Sequence, residues 1–290
     1  MAMRVRAGHL AQTPWVFALV ALVGCWGATD EPKLPFGSAK WVAYSPTGLD
    51  PTRGKMPSEE SLKEDLKVLR GAGFTGLVTY GCAAGVMTLP RLAREAGFTS
   101  FIQGIWSPTD TAEIDRACEL AADVAAYGVG NEGLGERYSV DQVKVAIGRV
   151  KEKTGKPATT TEQVDDYLND PNLLQVGDWI FPNAHPYWHD IRDAREAVTW
   201  TQAQYDELKH RAPGRPVLLK EVGFPTAGDP KVGDDLQAAY YQSLAQTNVR
   251  FVYFEAFDLP WKRHAPVEPY WGLFRADRSP KKVVTVIPKG

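Results

Sequence analysis

The chain has 290 residues, 44% of them hydrophobic and 23% charged, with 26 Gly and 21 Pro; this composition excludes disorder, collagen-like repeats and coiled coil, and single α/β barrels reach a similar length, so no second domain is required. Lys and Arg number 33 against 35 Asp and Glu, a net charge of -2 with no run of like charge, which argues against an electrostatic grip on nucleic acid and points to a neutral partner.

At the N-terminus, Arg4 and Arg6 precede an apolar run from Trp15 to Gly24, too short to span a bilayer but of the size of a signal-peptide core. The run closes on Leu22, Val23, Gly24 and Cys25, which resembles the lipobox of bacterial lipoproteins. The match implies cleavage before Cys25, acylation of its thiol and membrane contact through that lipid anchor only. An ordinary secretory signal with an incidental cysteine is the alternative, and both readings export the protein. The expected layout is a signal peptide over 1–24, a tether over 25–39, rich in Gly, Pro and charge, and one domain over 40–290. Cys82 and Cys118 do not make a disulfide framework and read as buried small hydrophobes, with a bridge between them left open.

From Lys40 onward short apolar runs alternate with amphipathic stretches. The predicted strands are Trp41 to Tyr44, Gly76 to Tyr80, Ser100 to Trp106, Asp123 to Val129, Ala158 to Thr161, Asp178 to Phe181, Pro216 to Glu221 and Arg250 to Phe257. After the first, Leu62, Leu66 and Leu69 recur at helical spacing behind Glu59 and Glu60 until Gly71 and Gly73 stop the pattern. After the fourth, Ser139 and Gln142 have capping-box spacing at the head of Val140, Val143, Ile147 and Val150, and Gly155 with Pro157 ends that helix. Leu236, Tyr240 and Leu244 mark a later one. Repeated strand-helix alternation predicts an α/β fold, a single-domain (β/α)8 TIM barrel, although an open doubly wound sheet gives a similar string.

Polar residues gather where strands end. Ala125, Ala126 and Val129 run into Asn131 and Glu132, and Val217, Leu218 and Leu219 run into Lys220 and Glu221. An unpartnered carboxylate at the mouth of a core strand costs several kcal/mol, roughly, so two such cases need a reason. Catalysis is one, because barrel active sites are built at the C-terminal ends of strands; a structural ion pair with Lys220 is the other. His185, Pro186, Tyr187 and Trp188 follow the sixth strand, and Glu255, Trp261 and Lys262 the eighth. Flat aromatics beside carboxylates suit a sugar ring and its hydroxyls. Gly128, Gly130 and Gly133 match G-x-G-x-x-G, but no helix opens at once and Glu132 repels a pyrophosphate. His185 and His189 are separated by Pro186, which forbids the helix that would aim both at one metal. No metal or cofactor is therefore expected.

The segments Gly128 to Glu132, Lys220 to Thr226, and Phe254 to Lys262 followed by Trp271 to Phe274 together resemble glycoside hydrolase family 17, the β-1,3-glucanases. Tyr44 to Pro46, Thr79 to Gly81, Thr159 to Glu162 and Asn183 to Tyr187 match in order, so the likeness covers nearly the whole mature chain. The resemblance implies a (β/α)8 barrel with Glu132 after strand four as acid/base and Glu221 at the end of strand seven as nucleophile. It further implies a substrate groove at Tyr44, Asn131, His185, Tyr187, Glu255, Trp261 and Lys262, with Tyr187 near the nucleophile. Leu259 stands where relatives often carry an acid, and the segment from His189 to Trp200 is too short for the extra subdomain of plant members.

Two carboxyl groups about 5 to 5.5 Å apart would make such an enzyme retaining: one attacks the anomeric carbon while the other protonates the leaving oxygen. The expected function is a monomeric, retaining hydrolase of β-1,3-glucans. Transfer of the glycosyl group to a second sugar uses the same pair and stays open. A non-catalytic glucan-binding lipoprotein would keep the aromatics but would not need both glutamates.

Overall fold

In the computed structural model, which describes residues 33–288, each predicted apolar run takes a place in one curled parallel sheet. The strands are β1 (Trp41–Ala43), β2 (Gly76–Val78), β3 (Ser100–Ile105), β4 (Ala126–Val129), β5 (Ala158–Thr159), β6 (Leu219–Val222) and β7 (Phe251–Tyr253), in the order β5-β4-β3-β2-β1-β7-β6. Nearly every strand residue is buried, as expected of parallel strands covered on both faces, and this is why they read as continuous apolar runs without alternation.

The ring closes through the predicted sixth strand, which is present as single bridges without a ladder. Gln163 pairs with Asn183 on the β5 side, and Ile180 with Val217 and Asn183 with Glu221 on the β6 side. Pro182 supplies no N–H, which limits pairing there. With this segment counted, β6 is seventh and β7 eighth in a (β/α)8 barrel, and the open-sheet alternative is discarded.

Helices α1 (Glu59–Gly71), α2 (Leu89–Glu95), α3 (Thr111–Glu119), α4 (Val140–Thr154), α5 (Val164–Asn169), α6 (Ala194–Arg211) and α7 (Asp234–Leu244) alternate with the strands, and a 3-10 turn at Lys282–Val286 takes the eighth position. The predicted helix ends hold. Ser58 accepts from Ser61 N at the start of α1, and α4 opens on the Ser139–Gln142 capping box and stops at Gly155 in the left-handed region. Leu62, Leu66 and Leu69, then Val143, Ile147 and Val150, face the core as their spacing required.

The expected signal peptide over 1–24 and Cys25 lie outside the described residues. Of the expected tether, 33–39 is described and is docked: Leu34 is buried, and the Phe36 ring meets Trp41 edge-on at 5.5 Å and Trp179 at 4.9 Å. Both tryptophans stand at strand beginnings, so Phe36 seals the floor of the barrel, opposite the strand ends that carry the polar residues. Cys82 is buried, Cys118 half-buried, and both thiols are free. Among the described residues no helix is long and apolar enough to cross a membrane.

Buried acids hold the loops at the barrel mouth. Asp65 on α1, fully buried, accepts from the Tyr44 hydroxyl at 2.8 Å and from Thr47 N at 3.0 Å in the loop after β1, and pairs with Arg278 at 2.7 Å. Glu113 on α3 accepts from Cys82 N in the loop after β2 and from Trp106 N and Ser107 N after β3, each at 2.9 Å. Asp258, after β7, accepts from Gly272 N at 3.0 Å and pairs with Lys281 at 2.6 Å. Each acid satisfies donors that a buried loop would otherwise leave unpaired.

Candidate active site

At the C-terminal end of β4 the chain passes through Gly130 with φ +82° and reaches Glu132 with φ +49°, a left-handed conformation uncommon for a residue with a side chain. On β6, Lys220 and Glu221 are consecutive and should point to opposite faces. The pairing register shifts between Leu219 and Val222, which breaks the alternation and lets both side chains reach the same centre.

There, one carboxylate oxygen of Glu132, one of Glu221 and a ring nitrogen of His185 lie within 4.8 Å of one another. Lys220 Nζ donates to Glu221 Oε1 and to Asn131 Oδ1, both at 2.6 Å, and stands 4.3 Å from the centroid of the Tyr80 ring. Asn183 Nδ2 donates to Glu132 Oε1 from across the barrel. The ion pair offered by the sequence as a structural alternative thus exists, but it sits inside the cluster and neutralises one of the two carboxylates.

The two carboxyl groups are driven apart in acidity. Burial, then the neighbouring charge of Glu221, pushes the Glu132 carboxyl up to about 7. Burial also acts against a charged Glu221, but the ammonium groups of Lys220 and Lys262 outweigh it and hold Glu221 below the ordinary glutamate range. At neutral pH Glu132 can therefore carry a proton while Glu221 is an anion, a pairing suited to acid and nucleophile chemistry. Burial drives His185 down to about 4, so its ring is neutral; Phe254 and Trp271 pack against it, each at 5.1 Å. Glu132, His185 and Glu221 could offer atoms to a cation, but the Lys220 ammonium already occupies one oxygen of Glu221, a poor donor set for a divalent ion.

These groups open into a cleft of about 780 Å³, within the range of small-molecule sites. Glu255 lies fully buried at its wall, with Lys262 Nζ at 2.9 and 3.0 Å from its two oxygens; burial pushes its carboxyl up to about 7 in spite of that pair. Trp106 and Trp188 stand 44% and 49% exposed on the rim, which is unusual for rings of that size and leaves them open to a ligand. The Trp261 indole nitrogen and Asn183 Oδ1 are buried without a hydrogen-bond partner, and His185 Nε2 stands 3.5 Å from a Glu221 oxygen.

Of the residues expected from sequence, Tyr44, Asn131, Glu132, His185, Glu221, Trp261 and Lys262 line this cleft, with Glu255 behind Lys262. The Tyr44 hydroxyl is taken by Asp65. Tyr187, expected near the nucleophile, is not among the residues that line this cleft. It falls in the 3-10 turn Pro186–His189, its hydroxyl donates to Asp229 at 3.1 Å, and Arg192 stacks 3.7 Å from its ring centroid. Trp188 was expected among the aromatics after the sixth strand, whereas Asn183 as donor to Glu132, Tyr80 beneath Lys220, and Trp106 on the rim were not assigned from sequence. All follow strand ends closely, the one signal that could have found them.

Residues 42–272 match the BtgE/BtgC glycoside hydrolase domain. The chain is similar to "Cell surface mannoprotein MP65" of Candida albicans, 24% identical over 82% of this chain and 67% of the relative. It is also similar to "Probable family 17 glucosidase SCW10" of Saccharomyces cerevisiae, 26% identical over 82% of this chain and 65% of that protein; the chain thus spans about two thirds of these relatives. Among solved structures, the glycoside hydrolase family 17 β-1,3-glucanosyltransferase from Rhizomucor miehei superposes with a TM-score of 0.72 at 22% identity, over 86% of this chain and 97% of that one.

Proposed function

Because the chain belongs to the BtgE/BtgC glycoside hydrolases, within family 17, we propose that it cleaves β-1,3-glucosidic bonds in glucans with retention at the anomeric carbon. The observation that carries this reading is the approach of the Glu132 and Glu221 oxygens to within 4.8 Å. That approach favours a direct nucleophile, for which the carboxyl groups stand about 5–5.5 Å apart, over an inverting pair, whose groups stand about 6.5–9.5 Å apart to hold a water.

Glu221 attacks the anomeric carbon as the bond to the leaving oxygen breaks, and that oxygen takes the proton from Glu132. Glu132, now a carboxylate, takes a proton from water, whose oxygen displaces Glu221 from the sugar. Lys220 keeps Glu221 anionic before attack. Asn131, His185, Trp261 and Lys262 bind the sugar from the cleft walls, and Tyr44 and Glu255 brace those walls.

Transfer to a second sugar in place of water is favoured by one feature. Trp106 lies beside the Glu132 loop, with Arg137 stacked 4.4 Å from its ring centroid and donating to the backbone oxygen of Asn131, so an aromatic platform stands on the acceptor side. Products from laminari-oligosaccharides separate the two outcomes. A hydrolase releases only shorter chains, whose newly formed reducing ends are expected to appear first as the β anomer in early NMR spectra; a transglucosylase also makes longer chains, whose new linkages are expected to be β. New reducing ends that appear first as the α anomer would make Glu221 the base for water and overturn retention.

We further propose that residues 1–24 direct export, that Cys25 is the lipid-bearing N-terminus of the mature chain, and that a monomeric barrel over 40–290 works outside the cytoplasm, on the periplasmic or cell-surface side of the membrane. The first relative is named as a cell-surface protein, which supports export. Cys25→Ala, expressed in a bacterial host, is expected to move the protein from the membrane fraction to the soluble one; equal solubility of both forms after export overturns the anchor.

A further inference from the structure

The conformation of Glu132 is set from outside its own loop. A residue's φ and ψ are fixed when the two peptide planes flanking it are fixed. Glu132 N donates to Thr161 O at 3.0 Å, and Gly133 N donates to Glu162 Oε2 at 2.9 Å. Two consecutive residues at the end of the β5 segment therefore hold both planes around Glu132. The second contact is reinforced: Leu134 N reaches the same Glu162 oxygen at 3.3 Å, and the Tyr138 hydroxyl donates to Glu162 Oε1 at 2.8 Å while accepting from Gly133 N at 3.1 Å. Glu162 is fully buried. The Tyr138 ring fits only because the loop is glycine at two places; a Cβ on Gly130 would lie 2.6 Å from the Tyr138 hydroxyl, and one on Gly133 2.4 Å from its ring.

We infer that Glu162, acting with Tyr138, is a positioning residue for the acid/base, holding Glu132 in its left-handed conformation and so aiming the carboxyl into the cleft. The inference rests on the acid/base role proposed above for Glu132. Glu162 meets no ligand itself; it acts through the backbone of Gly133. Its two charged oxygens serve three donors, and such charge-assisted bonds are the stronger kind. An amide at this place offers one neutral oxygen, so the clamp slackens without a change of volume.

The test uses the leaving group. Protonation by Glu132 matters for a sugar leaving group and scarcely at all for dinitrophenolate, so kcat/KM is measured on a laminari-oligosaccharide and on 2,4-dinitrophenyl β-laminaribioside, for Glu162→Gln, Tyr138→Phe and, as control, Glu132→Gln. Both clamp variants are expected to lose roughly 10- to 100-fold on the oligosaccharide, mostly in kcat, and under about threefold on the aryl substrate. Equal losses on both substrates, or no loss on the oligosaccharide, overturn the inference. Should Glu162→Gln fail to fold, Tyr138→Phe decides alone, since it removes one hydroxyl and leaves the Gly133 bond to Glu162. If Glu132→Gln itself loses equally on both substrates, the acid/base assignment falls. If Glu132→Gln discriminates between the substrates and the clamp variants do not, the clamp falls alone.

Discussion

Glu221→Gln is expected to fold, to bind glucan and to turn it over at least on the order of 10⁴-fold more slowly, because the substitution keeps shape while removing the carboxylate proposed to form the glycosyl-enzyme. The loss should lie in kcat, with KM little changed. A stability cost accompanies it. Lys220 is buried against Glu221 at 2.6 Å, and removing the partner of a buried charge is costly, here about 2–4 kcal/mol since Asn131 and the new amide oxygen still accept from the ammonium. Melting temperature and turnover must therefore be read on the same preparation. A variant that is destabilised yet cleaves glucan at the wild-type rate would reduce Glu221 to the ion-pair partner of Lys220. The substitution also reaches Glu132: burial is the larger reason that carboxyl sits near 7, and the charge of Glu221 the next. Without that charge, the Glu132 titration followed by NMR should move down from about 7.

Glu132→Gln should show the next largest loss, about 10²–10⁴-fold in kcat/KM on glucan, the usual range for removal of a general acid. In the free wild-type enzyme kcat/KM should fall as pH rises through about 7, where Glu132 loses its proton, and fall on the acid side only below the ordinary glutamate range, where Lys220 no longer keeps Glu221 ionised. The glutamine variant should lack the alkaline limb. On an aryl substrate whose leaving group needs no acid, added azide should speed turnover of the variant by attacking the glycosyl-enzyme without a general base, giving a β-glucosyl azide. The sign on stability is opposite to that of a salt-bridged acid. A carboxyl raised in the folded state contributes stability that is full below its unfolded value, ordinarily 4.5, and is lost as pH rises through about 7. The melting temperature of Glu132→Gln relative to wild type should thus climb between pH 5 and pH 8. A flat difference, or a wild-type alkaline limb retained in the variant, would show that another group supplies the proton.

The barrel was legible in sequence because its strands are buried on both faces, so Val42, Leu77, Val129 and Leu219 sit in apolar runs with helix punctuation between them. Glu132 and Glu221 were legible for the same reason, as carboxylates at the ends of runs where charge has no business without a task. The sixth strand was placed at Asp178 to Phe181, whereas its bridges fall at Ile180 and Asn183, and its reduction to single bridges depends on Pro182 and on what lies either side of it in space. What escaped was pairing across the barrel. The contacts of Asn183 with Glu132 and of Lys220 with Asn131 join residues 51 and 89 apart in the chain, and no local pattern encodes which strand end faces which. The partners of Tyr187 were hidden for a more local cause: it sits in the 3-10 turn that opens at Pro186, where its hydroxyl meets Asp229 and Arg192, five residues on, caps its ring.

The acids at the mouth bear on how this scaffold could be rebuilt. Barrel loops are commonly treated as exchangeable cassettes, each carried by its own strand. Here the carboxylate that secures a loop is often lodged in the neighbouring unit: Glu113 on α3 holds the loop after β2 as well as its own, and Glu162, beyond β5, holds the one after β4. A graft that replaces one loop therefore strips an anchor from its neighbour or leaves a buried carboxylate with nothing to accept. Recombination that cuts between β2 and α3, or between β4 and Glu162, likewise separates a loop from the carboxylate that secures it.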